Sequence, residues 1–196
     1  MRAVIVASGP SAKGFVPPAG VTVIAVNGAV NWLSRVDYFF TLDPSKLNLD
    51  RMLRYTRPGV TYCYANDKDL KLDGCHYFKR VAGLPFVNPV KHSPQWWANR
   101  WGSKLTLATE PSEINTGNSA WGALGLALHL GANKVALVGV DASQQPRIEG
   151  GASNNLSHLP LLFESALGQI NFINCGDMRS AVPAMCIGEG MKWLTR

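Results

Sequence analysis

The chain has 196 residues, an ordinary share of apolar side chains, few charged ones and a formal net charge of +6. That length suits one domain with a full hydrophobic core, and no apolar run approaches the length needed to span a bilayer. The positive charge favours anionic partners, nucleic acid among them, but the basic residues are scattered, with only a loose group at Arg51, Arg54 and Arg57.

Residues 3–7, AVIVA, are rich in β-branched side chains and read as a buried first strand. The apolar part is too short for the core of a secretory signal, so a cytoplasmic protein is expected. The strand runs into Ser8-Gly9-Pro10-Ser11, where Gly9 permits an unusual turn, Pro10 stiffens it and Ser11 can cap or start a helix. This is neither the dinucleotide fingerprint nor a Walker loop. Residues 21–26 form a second strand ending at Asn27-Gly28, with a short helix from Ala29 to Leu33. Residues 36–42 form a third, ending at Asp43-Pro44-Ser45, and Leu47, Met52 and Leu53 give helical spacing from Lys46 to Tyr55. Residues 59–65 are a fourth strand. This alternation predicts an α/β protein with a doubly wound, mostly parallel, Rossmann-like sheet covered on both faces.

From about 66 to 115 the rhythm breaks. Four prolines and the cluster Trp96, Trp97 and Trp101 mark a Trp-rich insertion or lid within a single domain spanning 1–196. The tryptophans read first as packing and second as a stacking wall for a sugar or base. Cys63, Cys75, Cys175 and Cys186 show neither CxxC pairing nor zinc spacing and read as reduced thiols.

At Gly117-Asn118-Ser119-Ala120 the α/β pattern resumes with a small-residue loop, an apolar helix and the strand KVALVGV, ending in Asp141. The positive end of that helix faces the loop, which makes Gly117, Asn118 and Ser119 candidates to hold a phosphate. Asp141 stands at a strand's carboxyl end, where open α/β sheets place their ligands. A polar loop, Ser143 to Ser157, is suited to close over a ligand, and His158 opens a helix running to Leu167. Residues 170–174 are a last strand, and the tail from Cys175 reads as irregular. His76, His92 and His129 read as structural, and Glu110 and Glu113 as solvated loop acids. Small polar groups follow every strand, and in a parallel sheet these ends share one rim.

The GPS after the first strand, the VN after the second, the D-P pair after the third and the GNSA–helix–LGA–strand–GVD run together resemble a Rossmann-like superfamily. It includes the archaeal 6-hydroxymethylpterin diphosphokinase family and the bacterial lipooligosaccharide sialyltransferases. The resemblance covers residues 3–45 and 116–183. On the sialyltransferase side it implies that Gly9, Pro10, Ser11, Asn27, Asn118 and Ser119 hold the CMP part of a CMP-sugar donor and that His158 is the general base. The chain departs from that pattern at Asp43, where those metal-independent enzymes carry Asn; Asp43 looks more like the diphosphokinase side, which uses Mg-ATP. From the residues alone, Asp43 and Asp141 on neighbouring strand ends can hold Mg²⁺ against phosphate oxygens, and His158 can take a proton from a hydroxyl. The expectation is a nucleotide-dependent, glycosyltransferase-like enzyme moving a sugar or phosphate-linked group from a nucleotide donor to a hydroxyl acceptor. The alternatives are a Mg-ATP-dependent diphosphokinase acting on a small heterocyclic alcohol and a nucleotide-binding sensor without turnover.

Overall fold

The computed structural model describes residues 1–152 and 154–196. Eight strands form one parallel sheet: β1 (Arg2–Val6), β2 (Thr22–Val26), β3 (Tyr38–Thr41), β4 (Thr61–Asn66), β5 (Cys75–Val81), β6 (Glu113–Asn115), β7 (Lys134–Val138) and β8 (Phe172–Asn174). Their order is β6-β5-β4-β3-β2-β1-β7-β8. The chain lays strands outward from β1 on one side, then returns to add β7 and β8 on the other, so the order reverses between β1 and β7. The doubly wound α/β expectation holds.

Successive side chains of a strand face opposite sides of a sheet. Ala3 and Ile5 of β1 enter one core with Ile24, Phe40 and Leu137, whereas Val4 and Val6 enter the other with Val23, Phe39 and Val138. Both faces are covered, which is why these strands are continuously apolar. The first core is roofed by α4 (Ser119–His129), which buries every residue from Ser119 to Ala127. Gly122 lets this helix approach the sheet, since a Cβ there would stand 2.6 Å from the Phe40 ring. On the opposite face lie α1 (Ala29–Trp32), α2 (Lys46–Leu53) and α6 (Ile187–Thr195).

Two regions differ from the sequence expectation. Residues 66–115 extend the sheet instead of interrupting it: β5 pairs with β4 and β6 with β5, both parallel. Helix α3 (Pro94–Arg100) lies between them, started by Pro94 and by the Ser93 hydroxyl, which accepts the Trp96 N–H at 3.2 Å. The tryptophans pack on one another, Trp96 edge-on to Trp97 at 4.8 Å and Trp97 stacked with Trp101 at 6.5 Å. Only Trp101 among these three is counted as exposed. The tail is not irregular. It forms α6, whose Leu194 is fully buried and whose Gly190 faces the Cys175 sulfur so closely that any side chain would collide. Helix α5 (Leu159–Ser165) follows the polar loop, as expected. No helix among the described residues is long and apolar enough to cross a membrane.

Candidate functional site

Two adjoining cavities open at the carboxyl rim of the sheet. The first lies at the reversal of strand order and is lined by Ser8, Gly9 and Pro10 after β1, Gly139, Val140 and Asp141 after β7, and the start of α4. The second is lined by Leu42, Asp43 and Ser45 after β3, Asn48 and Arg51 of α2, Thr116 and Gly117, Trp101, Arg80 and His158. Asn27, Asn118, Ser119, Arg147 and Leu156 line both. The structure therefore gathers nearly all the residues singled out from sequence. Ser11 alone lines neither cavity.

Gly9 has an unremarkable extended backbone, φ −64° and ψ 151°, so its role differs from the unusual turn expected. A Cβ there would meet the Asp141 carboxylate and the Gly139 carbonyl. Glycine is required because the β1 and β7 loops touch. Asn27 does occupy the left-handed region, φ 50°, which asparagine tolerates well.

Asp141 is buried, and its carboxylate is engaged. Oδ2 accepts the Ser11 N–H at 3.0 Å, while Oδ1 accepts the Ser11 hydroxyl and, at 3.1 Å, the Asp177 N–H. It ties together the loops after β1, β7 and β8. Asp43 lines the other cavity and is exposed; its Oδ1 accepts the Ser45 N–H at 3.2 Å. The two carboxylates are not on neighbouring strand ends as expected: β2 and β1 separate β3 from β7, the two acids line different cavities, and no group of three or more His, Cys, Asp or Glu gathers as a ligand set among the described residues. Of the two expected magnesium ligands, Asp43 keeps a carboxylate turned to solvent, whereas Asp141 acts as a clamp.

Helix α4 begins as expected. Asn118 caps it, its Oδ1 accepting the Ala120 N–H at 2.8 Å. The Ser119 hydroxyl accepts the Leu42 N–H at 3.1 Å, which fixes the β3 loop against the helix start. Its hydroxyl proton still has the freedom to donate. Gly117 is a packing glycine: a Cβ there would lie 2.6 Å from Leu162 and 3.3 Å from Ser103 Oγ and from Trp121.

His158 sits deeper than a rim position. It is 1% exposed. Its Nε2 lies 3.1 Å from the Gly117 carbonyl oxygen. A carbonyl can only accept, so Nε2 carries the proton and Nδ1 carries the lone pair. Nδ1 is buried and has no partner. Burial pushes this imidazole below its ordinary pKa, with the Gly117 carbonyl opposing. The other histidines are structural or exposed, as expected: His129 bonds the Glu113 carbonyl at 2.8 Å and stacks on Phe78.

Sequence reasoning missed two contributors, the Ser8 hydroxyl and Arg51, while it expected the polar loop to close over a ligand. The Ser8 hydroxyl lines the first cavity, buried and without a partner. The polar loop after Asp141 already crosses that cavity, held by the Ile148 N–H on the Ser8 carbonyl at 2.9 Å, with the Glu149 carboxylate laid against Gly28. As it stands the first cavity has about 80 Å³ of free space and the second about 420 Å³; the second alone falls in the range of ligand pockets. Arg51 is the second missed contributor, 6% exposed at the wall of the second cavity.

No protein-family model and no curated protein matches the chain. Among solved structures it is similar to the MAf glycosyltransferase from Magnetospirillum magneticum AMB-1, with a TM-score of 0.56 and 17% identity over 94% of this chain and 33% of that one. The chain spans about a third of the length of that protein. At this identity the likeness is one of fold.

Proposed function

We propose that the chain is a nucleotide-dependent transferase of glycosyltransferase type. The nucleotide part of a donor occupies the first cavity and a hydroxyl acceptor the second. The observation that carries this reading is the cavity at the reversal of strand order, where the unpartnered Ser8 hydroxyl and the start of α4 converge. Open parallel sheets bind ligands at that place, and a helix start favours phosphate. The fold shared with a glycosyltransferase supports the same class.

In this reading the polar loop swings off Ser8 to admit the donor, since the present space is too small for a nucleotide. Gly9 and Pro10 form the floor, with Ser11 fixing the Asp141 clamp beneath them. Asn27 and Asn118 border the donor, and Ser119 donates its hydroxyl to a phosphate oxygen. His158, its tautomer fixed by Gly117, receives the acceptor's hydroxyl proton on Nδ1. The acceptor oxygen forms the new bond to the sugar. The bond from sugar to phosphate breaks, and the phosphate leaves with the electron pair toward the positive end of α4. A low imidazole pKa keeps His158 in its proton-accepting form at neutral pH.

The deciding experiment is a thermal-shift and calorimetric screen of CMP, UDP, GDP, ADP and ATP, with magnesium and with chelator. A ligand at a hundred times its dissociation constant stabilises the fold by about 2.7 kcal/mol. Binding that weakens in Ser8→Ala and Ser119→Ala supports the reading; no nucleotide binding refutes it. Selective binding of ATP with magnesium would favour the diphosphokinase alternative. The burial of His158 favours a sensor, and a bound sugar nucleotide that is never turned over would decide for it.

A further inference from the structure

Arg51 is a buried cation facing a cavity with one of its donors unused. Its Nη1 donates to Asn48 Oδ1 at 2.6 Å. Its Nε is buried and has no partner. Asn48 is itself held by Thr41 Oγ1 at 3.1 Å, the Asp43 carbonyl at 2.8 Å and Asn27 Oδ1 at 3.3 Å, so the guanidinium rests on a rigid polar base. Two other arginines have carboxylates: Arg54 reaches Asp50, and Arg80 holds Asp67 with two hydrogen bonds. Among the described residues Arg51 makes no ion pair; burial works against its charge most, while Glu149 and, less, Asp43 support it from farther off and Arg147 opposes it. An uncompensated buried charge is costly, and a planar guanidinium with open donors suits a carboxylate or phosphate.

We propose that the second cavity is an anion subsite in which Arg51 binds a carboxylate or phosphate carried by the acceptor. Arg147, shared by both cavities, adds a second cation, and Leu47 and Trp101 offer an apolar flank. The acceptor is then a hydroxylated acid, its acidic group on Arg51 and its hydroxyl toward His158 across the same cavity. The assignment to the acceptor rests on the transferase reading above; the anion subsite does not.

The test reads the Arg51 Nε–H resonance of the native chain by ¹H–¹⁵N NMR, assigned by correlation through its side-chain carbons to the Arg51 backbone. Inorganic phosphate and acetate are titrated in turn, at constant ionic strength. A saturable shift of this resonance, with binding roughly tenfold weaker by calorimetry in Arg51→Lys, supports the subsite. No saturable shift with either anion overturns it, and this holds even if the variant fails to fold, since the native chain carries the measurement. The titration is then repeated with a saturating nucleotide from the screen. Unchanged phosphate affinity assigns the subsite to the acceptor; displacement by the nucleotide overturns that assignment and gives Arg51 to the donor's phosphates. If no nucleotide binds while phosphate still moves Arg51, the transferase reading fails and the subsite stands.

Discussion

Removing the carboxylate of Asp141 separates a structural clamp from a ligand contact. In Asp141→Ala three donors lose their acceptor: the Ser11 N–H, the Ser11 hydroxyl and the Asp177 N–H. Hydrogen bonds to a charged group contribute about 1.5–3 kcal/mol each. These are only part-buried, so the lower end applies, and water entering the vacated space restores some of the loss. The expected cost is about 2–4 kcal/mol. For a chain of this size each kcal/mol moves the melting temperature by about 2–4 °C, so a fall of roughly 5–15 °C is expected. Asp141→Asn should fall between parent and alanine, since its amide can accept from one side only and presents N–H to a donor on the other. Differential scanning fluorimetry and urea titration measure both. An alanine variant that melts with the parent yet loses nucleotide binding would refute the clamp and return Asp141 to the ligand.

Gly9→Ala places a methyl against the Asp141 carboxylate and the Gly139 carbonyl and should destabilise by about 1–3 kcal/mol in urea titration. His158 is buried with a lowered pKa, so the unfolded chain takes up its proton first. Its contribution is intact above the ordinary imidazole pKa and is lost as pH falls from there to the lower folded value. Urea midpoints at about pH 7.5 and about pH 5.5 should differ more in the parent than in His158→Gln; that variant should also lose about 10²–10⁴ of the transfer rate. If Asp43 meets a metal, magnesium should tighten a nucleoside diphosphate, and Asp43→Asn should lose that gain in calorimetry; equal affinity with chelator would favour metal-independent chemistry. Cys186 is exposed, whereas burial raises Cys63 to about 12 and Cys175 to about 11, so a thiol reagent should modify Cys186 first and reach the other two only on unfolding.

The central strands were legible because burial on both faces writes itself as unbroken apolar runs, as in Val4–Val6 and Val135–Val138. The edge was not. In β5, Cys75–Val81, no residue is fully buried, and its charged and polar side chains give no such run. Helix α6 was hidden by its own glycines, Gly188 and Gly190, the latter being demanded by contact with Cys175. At the site, residue types and strand ends picked out most of the residues that line the two rim cavities. What they could not disclose was how each polar atom is used. Asp141 reads as a free acid until its partners arrive from positions 130 and 36 residues away. Arg51 reads as one of three neighbouring arginines, yet Arg54 is exposed beside Asp50 and Arg57 donates to the Val30 and Leu33 carbonyls. Apolar periodicity predicts which apolar residues are buried; it says nothing of a buried cation.

The reversal of strand order also bears on how the chain is made. Strand β1 lies between β2 and β7, with Val4 paired to both Val23 and Ala136. On the ribosome β1 and β2 are available together early, but β1 keeps an open edge until β7 has been synthesised, and the Gly9 loop lacks its Asp141 grip until the same stretch emerges. Exposed edges invite pairing with other chains, and distant pairings form late. Nascent chains halted before residue 134 should therefore be recognised by chaperones and cut by proteases. Emergence of β8 and α6 should convert them to the resistant state in one step, so the rim that carries both cavities takes shape only once β7 and β8 have been made.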